Sequence, residues 1–161
     1  MNYKQKYCER MKEALYWAKI RGARVNDAVL FAQGALESNW GQSVLAKEAN
    51  NLFGIKAGKT WNGGTIELPT TEFHWQKGYY KTIGKWRKYR SWQECILDYS
   101  CLLKDLPWFQ DALQYLDNAD KFLEAILPTE GEPGWATDEK YKEKVREIGR
   151  EIEKMGYIKW Q

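Results

Sequence analysis

The helical periodicity of this 161-residue chain stops near residue 55 and resumes only at about residue 90. On either side, apolar residues recur three and four positions apart. Tyr3, Tyr7, Met11, Ala14, Leu15 and Ala18 form one stripe, and Cys95, Ile96, Tyr99, Leu102 and Leu103 another, which is the spacing of a one-faced α-helix. In the interval, glycines at 54, 58, 63, 64, 78 and 84 punctuate runs rich in Thr, Ile and aromatics, "GTIELPTTEFHW" and "GYYKTIGKWRKY". Residues of that kind suit a pleated surface and the glycines turn the chain, so the segment reads as a short antiparallel hairpin. Pro69 lacks an N–H and marks the first strand as an edge, or as broken there. Helices, one small β insertion and helices again predict an α+β fold, with a helical lobe, a hairpin lobe at about 55–90 and a cleft between them. No linker or repeat interrupts the chain, so residues 1–161 read as one domain.

Local signals set the element limits. The first helix is expected over 3–20. Asn26 is placed to cap a second helix ending near Ser38, and a short third follows at 42–49. Ser91 and Glu94 match an S-x-x-E capping box before "CILDYSCLL". Two shorter helices are predicted at 106–116 and 119–127. The last is expected from Thr137, carrying Tyr141, Val145, Ile148, Ile152 and Met155, with Gly156 as its C′ residue. Asp98 falls three residues after Cys95 and four before Leu102, on or beside a buried face. An unpaired carboxylate there is costly, so Asp98 must be hydrogen-bonded.

Composition removes several functional classes. The single histidine, His74, rules out a multi-histidine zinc site and argues against a Ser-His-Asp triad; it reads as a strand surface residue. The "NGG" at 62–64 is a turn rather than a phosphate loop, and no metal or cofactor is implied. A net charge of +3 is too mild to demand nucleic acid, though it suits an anionic polymer such as a cell wall. The cluster "KWRKYR" at 85–90 reads as a hairpin edge guarded by lysines. Cys95 and Cys101 lie about 9 Å apart along a helix axis, beyond the roughly 7 Å between Cα atoms that a disulfide spans. With Cys8 they read as reduced, half-buried thiols made in a reducing compartment. No stretch is long enough to cross a membrane, and "MNYKQKYCERMKEALYWAKIRGARV" has no apolar secretory core. Nine tryptophans, ten tyrosines and five phenylalanines exceed what packing alone asks, which leaves room for aromatic platforms that stack on sugars or bases.

What remains is carboxylates, aromatics and amides, the equipment of glycoside hydrolysis. Glu37 is the strongest single candidate. It ends a mostly apolar helix, where the macrodipole disfavours an anion, and Trp40 stands close by in sequence. Both effects favour the protonated form that a general acid needs.

The stretch "ALESNWGQSVLAKEANNLFGIKA" resembles the signature of family 73 glycoside hydrolases, the glucosaminidase domains of bacterial autolysins and of the flagellar peptidoglycan hydrolase. "TTEF" at 70–73, "WRKYRSW" at 86–92, "LDYSCLL" at 97–103 and "WATDEKYKEKV" at 135–145 follow in the family's order. The resemblance implies a lysozyme-like fold that cleaves the β-1,4 bond after N-acetylglucosamine in peptidoglycan. It implies Glu37 as general acid, Glu72 as the carboxylate that positions or activates water (with Glu67 the alternative), and Asp98 as a structural carboxylate. "NNLFGIK", with Asn51 and Phe53, is expected to shape the cleft floor, while Trp40, Trp135 and Trp86 stack on glycan. Many members carry tyrosine where this chain has Trp135, so Tyr141 or Tyr89 is expected to supply the phenol, and both count as substrate-binding candidates. The expected partner is the glycan strand of bacterial peptidoglycan, met by a monomer at the cell wall without membrane insertion. Delivery is expected either as a phage lysin passing a holin or as part of a larger secreted or tail protein. A muramidase, a lytic transglycosylase or a non-catalytic wall-binding module are the alternatives.

Overall fold

A computed structural model describes residues 1–161. Its elements run α1 (Tyr3–Ile20), α2 (Asp27–Ser38), α3 (Val44–Ala49), β1 (Thr65–His74), β2 (Gly78–Arg87), α4 (Trp92–Asp105), a 3-10 segment (Pro107–Tyr115), α5 (Ala119–Ala125) and α6 (Tyr141–Lys154). The α+β order expected from the periodicity is the one observed. Asn26 caps α2 as predicted, its Oδ1 accepting the Val29 N–H at 3.0 Å. Two refinements concern helix starts. At α4 only half of the capping box forms: Ser91 Oγ accepts the Glu94 N–H, but the Glu94 carboxylate reaches back to Arg90 instead. The reciprocal box lies at α1, between Asn2 and Gln5. The last helix begins at Tyr141 rather than Thr137, because Asp138 Oδ1 takes the Lys140 N–H and holds that stretch in a turn.

Helix α2 is the centre of the protein. Every residue from Ala28 to Ala35 is buried, as expected of a helix with neighbours on all sides. Gly34 permits the closest of these approaches. A Cβ there would meet Tyr7 Oη at 2.5 Å, Met11 Cε at 2.8 Å and Phe53 Cε1 at 3.2 Å. The same Tyr7 hydroxyl donates to the Phe31 carbonyl at 2.9 Å and ties α1 to α2. Cys8 and Cys95 sit in this core, with the Cys8 thiol pushed up to about 12 by burial, whereas Cys101 is exposed; all three are free.

The strands form a two-stranded antiparallel ribbon running from Thr65↔Arg87 to His74↔Gly78. β1 passes through Pro69 unbroken, since each strand of such a ribbon is an edge where a missing N–H costs no ladder bond. No residue of β1 or β2 is fully buried, so the ribbon is held mainly at its base. There the Ala57 N–H bonds to the Lys85 carbonyl and the Arg87 N–H to that of Ile55.

Gly34→Ala is expected to lower stability by roughly 1–3 kcal/mol through overpacking. The check is a urea melt, which should show a lower midpoint at unchanged slope.

Candidate active site

Glu37 occupies the last turn of α2. The helix stops sharply: Ser38 Oγ donates to the Gly34 carbonyl at 2.5 Å and accepts the Gly41 N–H at 2.8 Å. The chain then passes through Asn39 and Trp40 with φ of 48° and 56°. A left-handed non-glycine residue costs roughly 1–2 kcal/mol, and Trp40 offsets this by burying its ring edge-on against Tyr7, with centroids 5.7 Å apart, beneath the Lys4 ammonium. The turn clears the helix end and leaves Glu37 open to solvent.

Open is not the same as well solvated. Neighbouring protein partly desolvates the Glu37 carboxylate and raises its pKa above the ordinary carboxylate value. One group works against the shift. The Tyr141 hydroxyl, at the start of α6, donates to Glu37 Oε1 at 2.8 Å and favours the anion. Burial in turn pushes the Tyr141 phenol far up, with the Glu37 charge adding to the effect, so the phenol stays protonated and remains a donor. The second oxygen, Oε2, looks toward Gly54, where an added Cβ would lie 3.9 Å away. Of the two tyrosines expected to supply a phenol, Tyr141 is the one brought to Glu37.

Tyr89 is taken elsewhere. It is buried, and its hydroxyl donates to Asp98 Oδ2 at 2.5 Å. Arg87 Nη1 donates to both oxygens of Asp98 at 2.9 and 2.8 Å. Asn51 completes this hub: its amide donates to the carbonyls of Ile55 and Arg87 and accepts the Ile55 N–H. Together these groups fasten the ribbon's base to α4.

The alternation of β1 separates the two glutamates. Glu72 shares the half-buried face with Ile66, Leu68 and Thr70, whereas Glu67 points from the exposed face. Glu72 makes an ion pair with Lys56, while the hydrogen-bond partner of Glu37 is Tyr141. Trp86 lies on the same half-buried face, across Gly84.

Five residues expected to meet substrate lie inside the protein: Trp40, Asn51, Phe53, Tyr89 and Tyr141, and of these the Tyr141 hydroxyl is the one that reaches Glu37. The other four are buried for a packing reason. Trp40 closes the end of α2, Asn51 and Tyr89 belong to the hub, and the Phe53 ring packs 4.6 Å from that of Tyr99. Trp135 is half-buried against Phe53, Tyr99 and Phe109. The sequence reading passed over Lys56, Arg87 and Gln33. Gln33 does carry a signal, an amide set in the apolar run "AVLFAQGAL" four residues before Glu37 and therefore on the same helix face. A cavity of about 930 Å³ lined by Lys12, Tyr16, Phe31 and Tyr157 includes none of these groups. No helix is long and apolar enough to cross a membrane.

A helical body, a two-stranded ribbon and a poorly solvated glutamate at the end of the central helix define a lysozyme-like framework. Comparison with known proteins agrees. The family described as "Glucosaminidase: Mannosyl-glycoprotein endo-beta-N-acetylglucosaminidase" matches residues 13–154, and the chain belongs to that family. It is 34% identical over 158 residues to the peptidoglycan hydrolase FlgJ of Vibrio parahaemolyticus, covering 96% of this chain and 47% of that protein. Against the exo-glucosaminidase LytG of Bacillus subtilis the identity is 35% over 123 residues, covering 75% of this chain and 42% of that one. The chain thus spans less than half the length of either relative. The solved glycoside hydrolase domain of Salmonella typhimurium FlgJ, truncated at its C-terminus, superposes with a TM-score of 0.72 at 29% identity. That match covers 94% of this chain and 99% of that one. The family membership and lysozyme-like α+β fold read from "ALESNWG" and the downstream blocks are borne out.

Two measurements test the site. Tyr141→Phe removes the bond that lowers the Glu37 pKa and leaves desolvation unopposed, so an NMR titration of the Glu37 side-chain carboxyl should move upward. Asp98→Ala leaves Arg87 Nη1 and the Tyr89 hydroxyl without their partner in a half-buried hub. It is expected to cost roughly 2 kcal/mol in chemical denaturation, the scale of a hydrogen bond to a charged group.

Proposed function

We propose that this chain hydrolyses bacterial peptidoglycan at the cell wall, cleaving the β-1,4 bond after N-acetylglucosamine with Glu37 as general acid. The observation that carries this reading is the Tyr141–Glu37 pair at the end of α2, a carboxyl group that is reachable from solvent yet desolvated. General acids are tuned in this way, with a pKa raised toward the working pH so that the proton is both present and transferable. The names of the relatives, a peptidoglycan hydrolase and an exo-glucosaminidase, support the substrate class.

In the proposed reaction a glycan strand lies in the cleft between the helical body and the half-buried face of the ribbon. Trp86 and the accessible part of Trp135 flank it. Glu37 protonates the departing glycosidic oxygen as oxocarbenium character develops at the anomeric carbon, and the resulting carboxylate is held by the Tyr141 hydroxyl. Water then attacks the anomeric carbon and yields a reducing N-acetylglucosamine end. In one version Glu72, freed from Lys56, takes the proton from that water. The Lys56–Glu72 ion pair favours a second version. There Glu72 stays paired with Lys56, the substrate's own N-acetyl oxygen bonds to the anomeric carbon as the glycosidic bond breaks, and the Glu37 carboxylate takes the proton of the water that then displaces it.

Glu37→Gln is expected to lower turnover of purified sacculi by about 10²–10⁴, the usual worth of a general acid. Mass spectrometry of the wild-type products should show reducing N-acetylglucosamine. Reducing N-acetylmuramic acid would indicate a muramidase, and the anhydro sugar a transglycosylase. A rapid fall in strand length marks endo cleavage, whereas release of terminal units marks the exo mode. Glu72→Gln separates the two versions: a loss matching that of Glu37→Gln supports water activation by Glu72, and a loss under about tenfold supports substrate assistance.

A further inference from the structure

Gln33 lies one turn before Glu37 on α2 and is fully buried. Its Oε1 accepts a hydrogen bond from the Tyr99 hydroxyl at 2.7 Å, the one polar partner of that buried phenol. Its amide nitrogen is also buried and has no closed hydrogen bond. The group it faces is the Tyr141 hydroxyl, the same one that donates to Glu37. A buried N–H left unpaired is costly, so this amide in the middle of an apolar helix calls for an explanation beyond packing.

The groups lie in series, with two bonds closed and the link from Gln33 to Tyr141 open. The Tyr99 O–H points to Gln33 Oε1, which turns the Gln33 N–H toward Tyr141. With a donor facing its oxygen, Tyr141 directs its own proton to Glu37 Oε1. The positive N–H end of the amide, facing the phenol oxygen, favours release of the phenol proton and so strengthens Tyr141 as a donor. An oxygen already accepting this bond is the poorer site for protonation, which leaves Oε2, the oxygen beside Gly54. From α2, α4 and α6, the titratable groups bearing on Glu37 and Tyr141 are each other and Tyr99.

We propose that Gln33 is a positioning residue that acts through Tyr141 to place the acidic proton of Glu37 on Oε2. This rests on Glu37 being the general acid. Gln33 touches no substrate; it sets which oxygen of the acid delivers the proton.

The test is a double-mutant cycle on the full chain, with activity on soluble peptidoglycan fragments followed across pH. Gln33→Leu is expected to lower kcat by roughly tenfold, a fraction of a general acid's contribution, with KM unchanged. Because Tyr141 then donates less firmly, the Glu37 pKa rises and the alkaline limb moves to higher pH, by less than in Tyr141→Phe. In the Tyr141→Phe background, Gln33→Leu should add no further loss and no further shift. Additive losses with an unmoved limb would overturn the proposal and leave Gln33 a packing residue. Should Gln33→Leu fail to fold, Gln33→Met and Tyr99→Phe replace it, the latter freeing the amide to turn; the same limb shift is expected, and an unmoved limb in both overturns the proposal. Glu37→Gln run alongside keeps the two claims apart. Full activity of that variant defeats the acid assignment itself, whereas an inactive Glu37→Gln with additive Gln33 and Tyr141 losses defeats only the role of Gln33.

Discussion

The hydrogen bond from Tyr141 to Glu37 joins residues 104 positions apart, and much of the fold serves to bring them together. Helix α2 must be enclosed on nearly all sides for its end to be poorly solvated, and α6 must pack along it for Tyr141 to arrive there. Gly34 admits α1, the left-handed turn at Asn39 and Trp40 opens the helix end, and the late start of α6 puts Tyr141 in its first turn. Desolvation raises the Glu37 pKa and the phenol restrains it. The outcome is a carboxyl group held above its ordinary range and supplied with a donor ready to receive its anion.

The ribbon follows a different physical logic. Nothing in it is fully buried, and its attachment runs through one polar hub in which Arg87 and Tyr89 converge on Asp98 while Asn51 ties the preceding loop to the same strand. An element with few buried contacts belongs to the low end of local stability. The hub therefore fixes the ribbon's base, where Lys56 is bridged to Trp86, and leaves the half that carries Glu72 less tightly held. Rigidity around the proposed acid and compliance around the second carboxylate come from the same sequence by this division.

Much of the fold was legible from local signals. Apolar spacing places α1, α2, α4 and α6, the glycine-rich texture places the ribbon, and the need of Asp98 for partners follows from its helical phase. The partners were not legible. Arg87 for Asp98, Lys56 for Glu72 and Tyr141 for Glu37 lie 11, 16 and 104 residues away, where only tertiary packing decides. Aromatic count misled for a related reason. Nine tryptophans suggested exposed platforms, yet Trp40 and Trp92 are core residues and Trp135 is half sunk against three other rings. Residue type records that a ring can stack, while burial decides what it stacks on. The clearest unused signal is Gln33, an amide within an apolar helical run on the face of Glu37.

The role of Glu37 is tested most directly in the wild-type protein, by comparing its site-specific carboxyl titration with the pH dependence of kcat/KM on soluble peptidoglycan fragments. A free-enzyme acid sets the alkaline limb of that profile. Glu37 should titrate above the ordinary carboxylate range and its midpoint should coincide with the limb. A Glu37 that titrates at or below the ordinary value, with the limb set elsewhere, would contradict its assignment as the acid.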